Sequence, residues 1–583
     1  METSTKVLVA TGAVALTAAV AASGALKSTG VGKMAEPPTD NEAARFLTQA
    51  TWGATEADIA TVKEMGIEAW LDDQISLGQL PRTDQYSTKN YILERTSSNK
   101  NPFFPEARVA FQESFYTRVA QGQDQLRQRM QSALSQIFVV SRTADVLEFG
   151  AWKATAQYYD MLGFNALGNF RRLLEEVTLS PAMGMYLTHV QSQKEDPATG
   201  RHPDENYARE VMQLMTIGTV MLNEDGTPQL RNGAPIPAYS HDDVEGLAKV
   251  FSGLSWAVGS FFSALGNNGG YEHPLKYYPE HHSTSEKKFL GVTIPASTTS
   301  NGPRDLAIAL DTLFQHPNVG PFIGRQLIQR FVTSNPSPDY VARVAKVFND
   351  NGQGVRGELS DVIKAILLDP EARDLEAAQR DENFGKLREP LLRLTSWMRA
   401  FKAYSKTGFF IIHRDGLGDE SRIMMGTSLP LQLGQAPLTA PSVFNFWRPG
   451  YSPPNTPLGE AGLVAPELQI VSELTAASYF NFIKTTIDTG VGYNPKTWSM
   501  GDVVSQYRDE VALAATPEAL LDRVNSLLFY GQMSAALRQQ ILAAVNSIAI
   551  PATNETNIDA AKLKRAKLAV FLSMVSGEYL VQR

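Results

Sequence analysis

The sequence predicts a mainly α protein: a multi-helix globular body with a small β-hairpin arm and a long proline/aromatic strap. Three observations carry this. Apolar residues recur with helical period through most of the chain. Helix-start signals repeat along it. Strand signals gather in a single stretch. From Leu359, the positions Leu359, Val362, Ile363, Ile366 and Leu367 fall on one helical face. Asp369-Pro370-Glu371, Ser337-Pro338-Asp339 and Thr516-Pro517-Glu518 each place a capping residue before a proline at the first helical position. Near the amino end, Thr39 and Glu42 have capping-box spacing, and Thr55 and Asp58 have a looser version. Val220 to Leu222 and Gln229-Leu230 flank Asp225-Gly226 as a hairpin would, and Phe289 to Ile294 is a second short strand candidate.

These signals divide the chain. Residues 1–25 form an apolar, small-residue run behind Lys6, which reads as a secretory signal peptide, with an uncleaved anchor as the alternative. Residues 26–40 are a linker. Residues 41–583 form one helical body, with a β and loop insertion at about 219–300, a strap at 437–466 and C-terminal helices at 467–583. The strap holds seven prolines together with Phe444, Phe446, Trp447 and Tyr451. So aromatic a stretch is expected to be pinned to the body. The expected location is periplasmic or secreted, with no membrane contact beyond the N-terminal segment.

Composition narrows the chemistry. The chain has 583 residues, 43% hydrophobic and 20% charged, with net charge -8. It has no basic tract to engage a phosphate backbone, so no nucleic-acid partner is expected. Cysteine is absent, which removes disulfides, thiol nucleophiles and zinc–thiolate sites. There is no GxSxG nucleophile turn, no P-loop and no HExxH. Gly352 to Gly357 spells GxGxxG but follows a helical segment, so it reads as a helix–helix connection rather than a dinucleotide loop. Asn349, Asn351 and Gln353 faintly echo a calcium loop, but Ser360 stands where the bidentate glutamate would be.

Several motifs occur in a telling order: ARFLTQATWG at 44–53, ALGNFR at 166–171, ENYARE at 205–210, SGLSW at 252–256, RQLIQRFV at 325–332, KLREP at 386–390, LGQAP at 433–437 and APSVF at 440–444. Together they resemble the bacterial family known as domain of unknown function 1800, over nearly everything from residue 41 onward. The resemblance implies a mostly helical exported protein. It also implies a gene neighbour encoding a second exported, distantly sulfatase-like protein, a candidate partner. It brings no catalytic residues. Many relatives have histidines in the stretch matching Ser132 to Ser141 and at Met215; this chain has none there.

Three groups of candidate site residues remain. Glu205, Arg209 and Glu210 share a predicted helix: as a functional cluster, Glu210 would be acid, base or ligand; as a structural one, the arginine and glutamates form a buried network fixing helix packing. Six of eight histidines lie between 189 and 282 among many carboxylates. Of these, His202, His241, His281 and His282 are the candidate metal ligands, and a divalent zinc, manganese or iron would be the cofactor. His241 and Glu245 would share a helix face. Phe446, Trp447 and Tyr451 could stack on sugar rings, or pack down to hold the strap. The functional expectation is an accessory or scaffold protein acting with another exported protein or a surface polymer. The alternatives are a metal-dependent hydrolase of such a polymer and a carbohydrate-binding module.

Overall fold

The computed structural model describes residues 37–78, 87–97, 105–148, 151–263, 267–412, 427, 432–494 and 499–583. The segment read as signal peptide and linker residues 26–36 lie outside them. Residues 38–583 cluster as one compact unit. Among the described residues helices dominate, and the strands form only two- and three-stranded sheets. No described helix is long and apolar enough to cross a membrane.

The start signals do what their chemistry predicts, with one exception. Thr39 Oγ1 accepts from Glu42 N, and Glu42 Oε2 accepts from Thr39 N at 2.7 Å, opening the Asp40–Ala50 helix. Thr55, Ser337 and Asp369 likewise accept from backbone N–H groups of the turns they start. Thr516 precedes the Pro517–Phe529 helix but makes no side-chain cap bond. The Leu359–Leu368 helix buries Leu359, Val362, Ile363, Ile366 and Leu367, the face read from its period.

The β arm is real and short. Asn223 to Gly226 turns with Gly226 at φ +77°, and Leu222 bridges to Pro228. A second turn pairs Leu230–Arg231 with Ala234–Pro235. The Phe289 to Ile294 stretch is not one strand: Lys287–Phe289 pairs with Val292–Ile294 across a turn at Leu290-Gly291, both at positive φ, as a two-residue hairpin requires. The 352–357 glycines lie in the turn between two helices, where Asp350 and Asn351 side chains accept from backbone N–H groups. At Gly357 (φ +75°) a Cβ would meet Phe314 at 2.6 Å, so packing as well as turn geometry demands glycine.

Long-range ties close the body. Arg45, buried in the first helix, donates to the carbonyls of Ala372 and Arg583. Val581–Gln582 pairs with Lys386–Leu387. The strap is pinned at several points: Gln329 Nε2 donates to Pro449 O, Asn335 and Val464 exchange two bonds, and Arg142 N donates to Leu438 O. Just beyond it, Glu467 is buried against Lys386 at 2.9 Å.

Candidate functional site

The Asn206–Gln213 helix buries Tyr207, Ala208, Val211 and Met212. Asp204 stands just before it and accepts from Asn206 N. Arg209 lies off the buried face. Its guanidinium reaches Glu205 at 3.1 Å as the i,i+4 spacing predicts, but the two side chains are 39% and 31% exposed. The pair is therefore a surface pair and not the buried network that the spacing also allowed. Glu210 points inward instead and is 7% exposed. Its Oε2 has no hydrogen-bond partner. Burial pushes its carboxyl up, opposed by Arg209. Tyr186, half-buried, is pushed up to about 12 by desolvation, with the Glu210 charge adding to that effect.

The candidate histidines do not converge. His282 is fully buried, with Nδ1 2.7 Å from Ser252 O and Nε2 3.2 Å from Asp305, which also holds Lys287 at 2.9 Å. Both its ring nitrogens are thus engaged. Gly253, at φ +85°, brings its backbone against His282 so closely that a Cβ would lie 2.8 Å from His282 Cα. His281 stacks face to face on Phe261 with centroids 3.8 Å apart. His202 is exposed on the wall of a cleft of about 280 Å³, which Asp196, Glu205 and Glu245 also line. His241 alone joins carboxylates from two elements. It opens the His241–Phe251 helix; its Nε2 is 3.3 Å from Glu245 and its Nδ1 3.8 Å from Glu205. One ligand atom from each of the three lies within 4.8 Å of the others.

Of the strap's aromatics only Phe444, at 41%, is exposed; the three candidates for stacking are not. Trp447 is 3% exposed, and Phe446 and Tyr451 are half-buried. Phe446 packs against Trp447, with ring centroids 5.9 Å apart. Trp447 therefore offers no open face to a sugar ring.

A larger concavity lies elsewhere. A cavity of about 820 Å³ is framed by the Trp152–Phe164 and Phe170–Thr178 helices, the start of the Thr88–Ser97 helix and the Asn267–Glu272 turn. Its apolar lining includes Tyr158, Met161, Leu179, Pro181 and Tyr271. Much of its charged lining is paired within the wall, with Arg171 shared between two carboxylates. Arg171 holds Asp311 at 2.6 Å and Glu175 at 2.8 Å, and Arg172 holds Glu176 at 2.9 Å. Asp160 caps the Thr88–Ser97 helix, accepting from Thr88 N at 2.7 Å and Ser87 Oγ at 2.8 Å. Lys153 and Lys89 both bond Glu272 and hold its carboxyl down at about 2, which fixes the turn against the wall. The sequence reading missed this site because its residues come from five separated segments, four of them on or beside helices of ordinary pattern and one in the 257–302 stretch read as loop. Only ALGNFR, whose Arg171 lies on the wall, hinted at it.

The motifs also meet in the core. Lys386 of KLREP is wholly buried, donates to Arg330 O at 3.0 Å and lies 2.9 Å from Glu467 and 3.8 Å from Glu389. Glu389 Oε2 accepts from the side-chain amides of Gln136 and Gln435. Arg129 lies over the rings of Trp52 and Phe331. Segments from six distant stretches are thereby joined in a buried polar network.

The core is thus built from motifs spread along nearly the whole chain. A family model described as "Protein of unknown function (DUF1800)" matches residues 45–581, and the chain belongs to that family. No curated protein and no solved structure matches the chain.

Proposed function

We propose that the protein is an exported accessory protein that holds a neutral, hydroxyl-rich surface polymer in the 820 Å³ cavity, alongside a second exported protein. The observation that carries this reading is the pairing of the charges lining that cavity. Its volume suits a ligand of a few rings, and its apolar floor with a few fixed polar groups is the usual make-up of a ligand pocket. Arg171, Arg172, Glu175, Glu176 and Asp311 are already paired with one another. These pairs are partly exposed and solvent-screened, so they set a preference rather than a barrier: a charged ligand has to compete with a partner already in place. Hydroxyl groups both donate and accept, so a glycan can bond to the pairs without breaking them, while Met161 and Leu179, with the edge of Tyr271, supply apolar area.

Neutral oligosaccharides (chitin, cellulose and β-glucan oligomers) titrated into the mature protein, in chelator, test the reading. Binding to one class, weakened in Tyr271→Ala and Asp311→Ala with the fold intact, is the expected result. Absence of binding across the panel, or binding indifferent to both substitutions, would refute it. Stable copurification with a neighbour-encoded exported protein tests the partner. The second reading, metal-dependent hydrolysis of such a polymer, draws on the Glu205–His241–Glu245 set; turnover that chelator abolishes would favour it.

A further inference from the structure

We infer that Glu205, His241 and Glu245 form a divalent transition-metal site, with Arg209 as the resident cation that a metal displaces. The inference is independent of the glycan cavity.

The set is assembled by local structure. Ser240 and Asp243 form a capping box, and Asp243 also accepts from Leu290 N at 2.6 Å, so the first turn of the His241–Phe251 helix is held from two sides. His241 is the first residue of that helix, and Glu245 follows one turn later on the same face. Glu205 comes from a separate element, immediately before the Asn206–Gln213 helix. Two of the ligands are thus fixed on one rigid helix and the third on its neighbour.

The set stands near ligand spacing but not at it: Glu245 faces His241 Nε2 and Glu205 faces Nδ1, so one carboxylate must swing toward the other nitrogen to share an ion. Donors around a tetrahedral zinc with bonds of roughly 2.0–2.2 Å lie about 3.4 Å apart. One ligand atom from each residue already lies within 4.8 Å of the other two. Rotation of exposed side chains closes the difference, because His241 and Glu245 are 61% and 55% exposed.

Charge and donor type select the ion. Two carboxylates face a single guanidinium, so the cluster keeps an excess of negative charge. Calcium and magnesium prefer all-oxygen shells, whereas an imidazole with carboxylates suits zinc or a neighbouring transition ion. Three protein ligands leave a position open, and the adjoining 280 Å³ cleft, with Asp196 and His202 on its wall, gives that position access to solvent or a ligand.

Arg209 makes the proposal specific. Its Nη2 lies 3.1 Å from Glu205 Oε2, the same oxygen that faces His241. A cation ligated by that oxygen must move the guanidinium away. Removing Arg209 therefore strengthens metal binding, whereas a histidine that merely bridges two carboxylates predicts no such gain.

The test uses the full mature chain, purified without a tag, stripped with chelator and titrated with zinc chloride near neutral pH, where imidazole can ligate. Stoichiometry and affinity are read by equilibrium dialysis with elemental analysis, and folding by circular dichroism. Stoichiometric zinc is expected in the wild type. His241→Ala and Glu245→Gln weaken it by roughly tenfold or more, the scale on which even outer partners of metal ligands act. Arg209→Met tightens it, and exposed His273→Ala leaves it unchanged. No zinc in the wild type, equal binding in His241→Ala, or weaker binding in Arg209→Met would each overturn the proposal.

Discussion

Replacing Lys386 with Met tests what holds the motif-rich core together. The Lys386 ammonium is wholly buried and lies against two buried carboxyls, Glu467 at 2.9 Å and Glu389 at 3.8 Å. Burial pushes both carboxyls up. At Glu389 the charges of Lys386 and Arg129 and the amides of Gln435 and Gln136 outweigh burial and hold it below the usual range. At Glu467 burial prevails over Lys386, and the carboxyl sits above its usual range. Glu467 is therefore the more dependent of the two on this one cation. Methionine keeps most of the stem's volume and removes the charge, so the loss is electrostatic rather than a cavity. Removing one partner of a buried pair costs about 3–5 kcal/mol, since the other charge is left without compensation. Adding Glu467→Gln should recover about 2 kcal/mol, because the double variant no longer buries that unpaired carboxylate. Urea unfolding followed by circular dichroism reads the midpoints, and hydrogen exchange at residues 386–389 reads the local effect. A single variant within about 1 kcal/mol of wild type would refute the reasoning, as would a double variant no more stable than the single.

Two further outcomes follow from the same physics. Burial lowers the His189 imidazole from 6.5 to about 4, opposed by its bond to Thr178 O, so the folded state prefers the neutral ring. The unfolded chain then binds the extra proton between those values. This contribution is fully present above pH 6.5 and is lost as the pH falls toward about 4, in total about 3 kcal/mol. Urea midpoints measured across that window should slope upward with pH and flatten in His189→Gln; an unchanged slope would remove His189 as the cause. Arg209→Ala, by contrast, should cost less than about 1 kcal/mol, since its ion pair is solvent-screened. A loss of several kcal/mol in the same assay would restore the buried-network reading.

How much of the fold the sequence discloses depends on the range of the interactions that set it. Capping boxes, proline starts and the face of the Leu359–Leu368 helix act within one or two turns, and they can be read directly. So can the turn at Asn223 to Gly226. The three-stranded sheet of Tyr404–Ser405, Ser499–Val504 and Val491–Asn494 could not be read, because two of its strands are joined to a third about ninety residues away. The pairing of Val581–Gln582 with Lys386–Leu387 is hidden for the same reason.

The candidate site follows the same division. Helical spacing alone places Arg209 beside Glu205 and His241 beside Glu245. It cannot say which of those pairs meet each other, and the meeting of Glu205 with His241 depends on how two helices pack. Nor does spacing separate exposure from burial among polar residues. His281 and His282 are neighbours in sequence, yet one stacks on Phe261 and the other is fixed between Ser252 and Asp305. Burial of a polar residue is decided by partners from elsewhere in the chain, since only a satisfied polar group can be buried cheaply. That is why histidine density favoured residues such as His281 and His282, whose ring faces or ring nitrogens are already engaged. It is also why the cavity is hidden: the i,i+4 pairs Arg171–Glu175 and Arg172–Glu176 are legible on the Phe170–Thr178 helix, but the Arg171–Asp311 pair that brings in the Gly302–Gln315 helix is not.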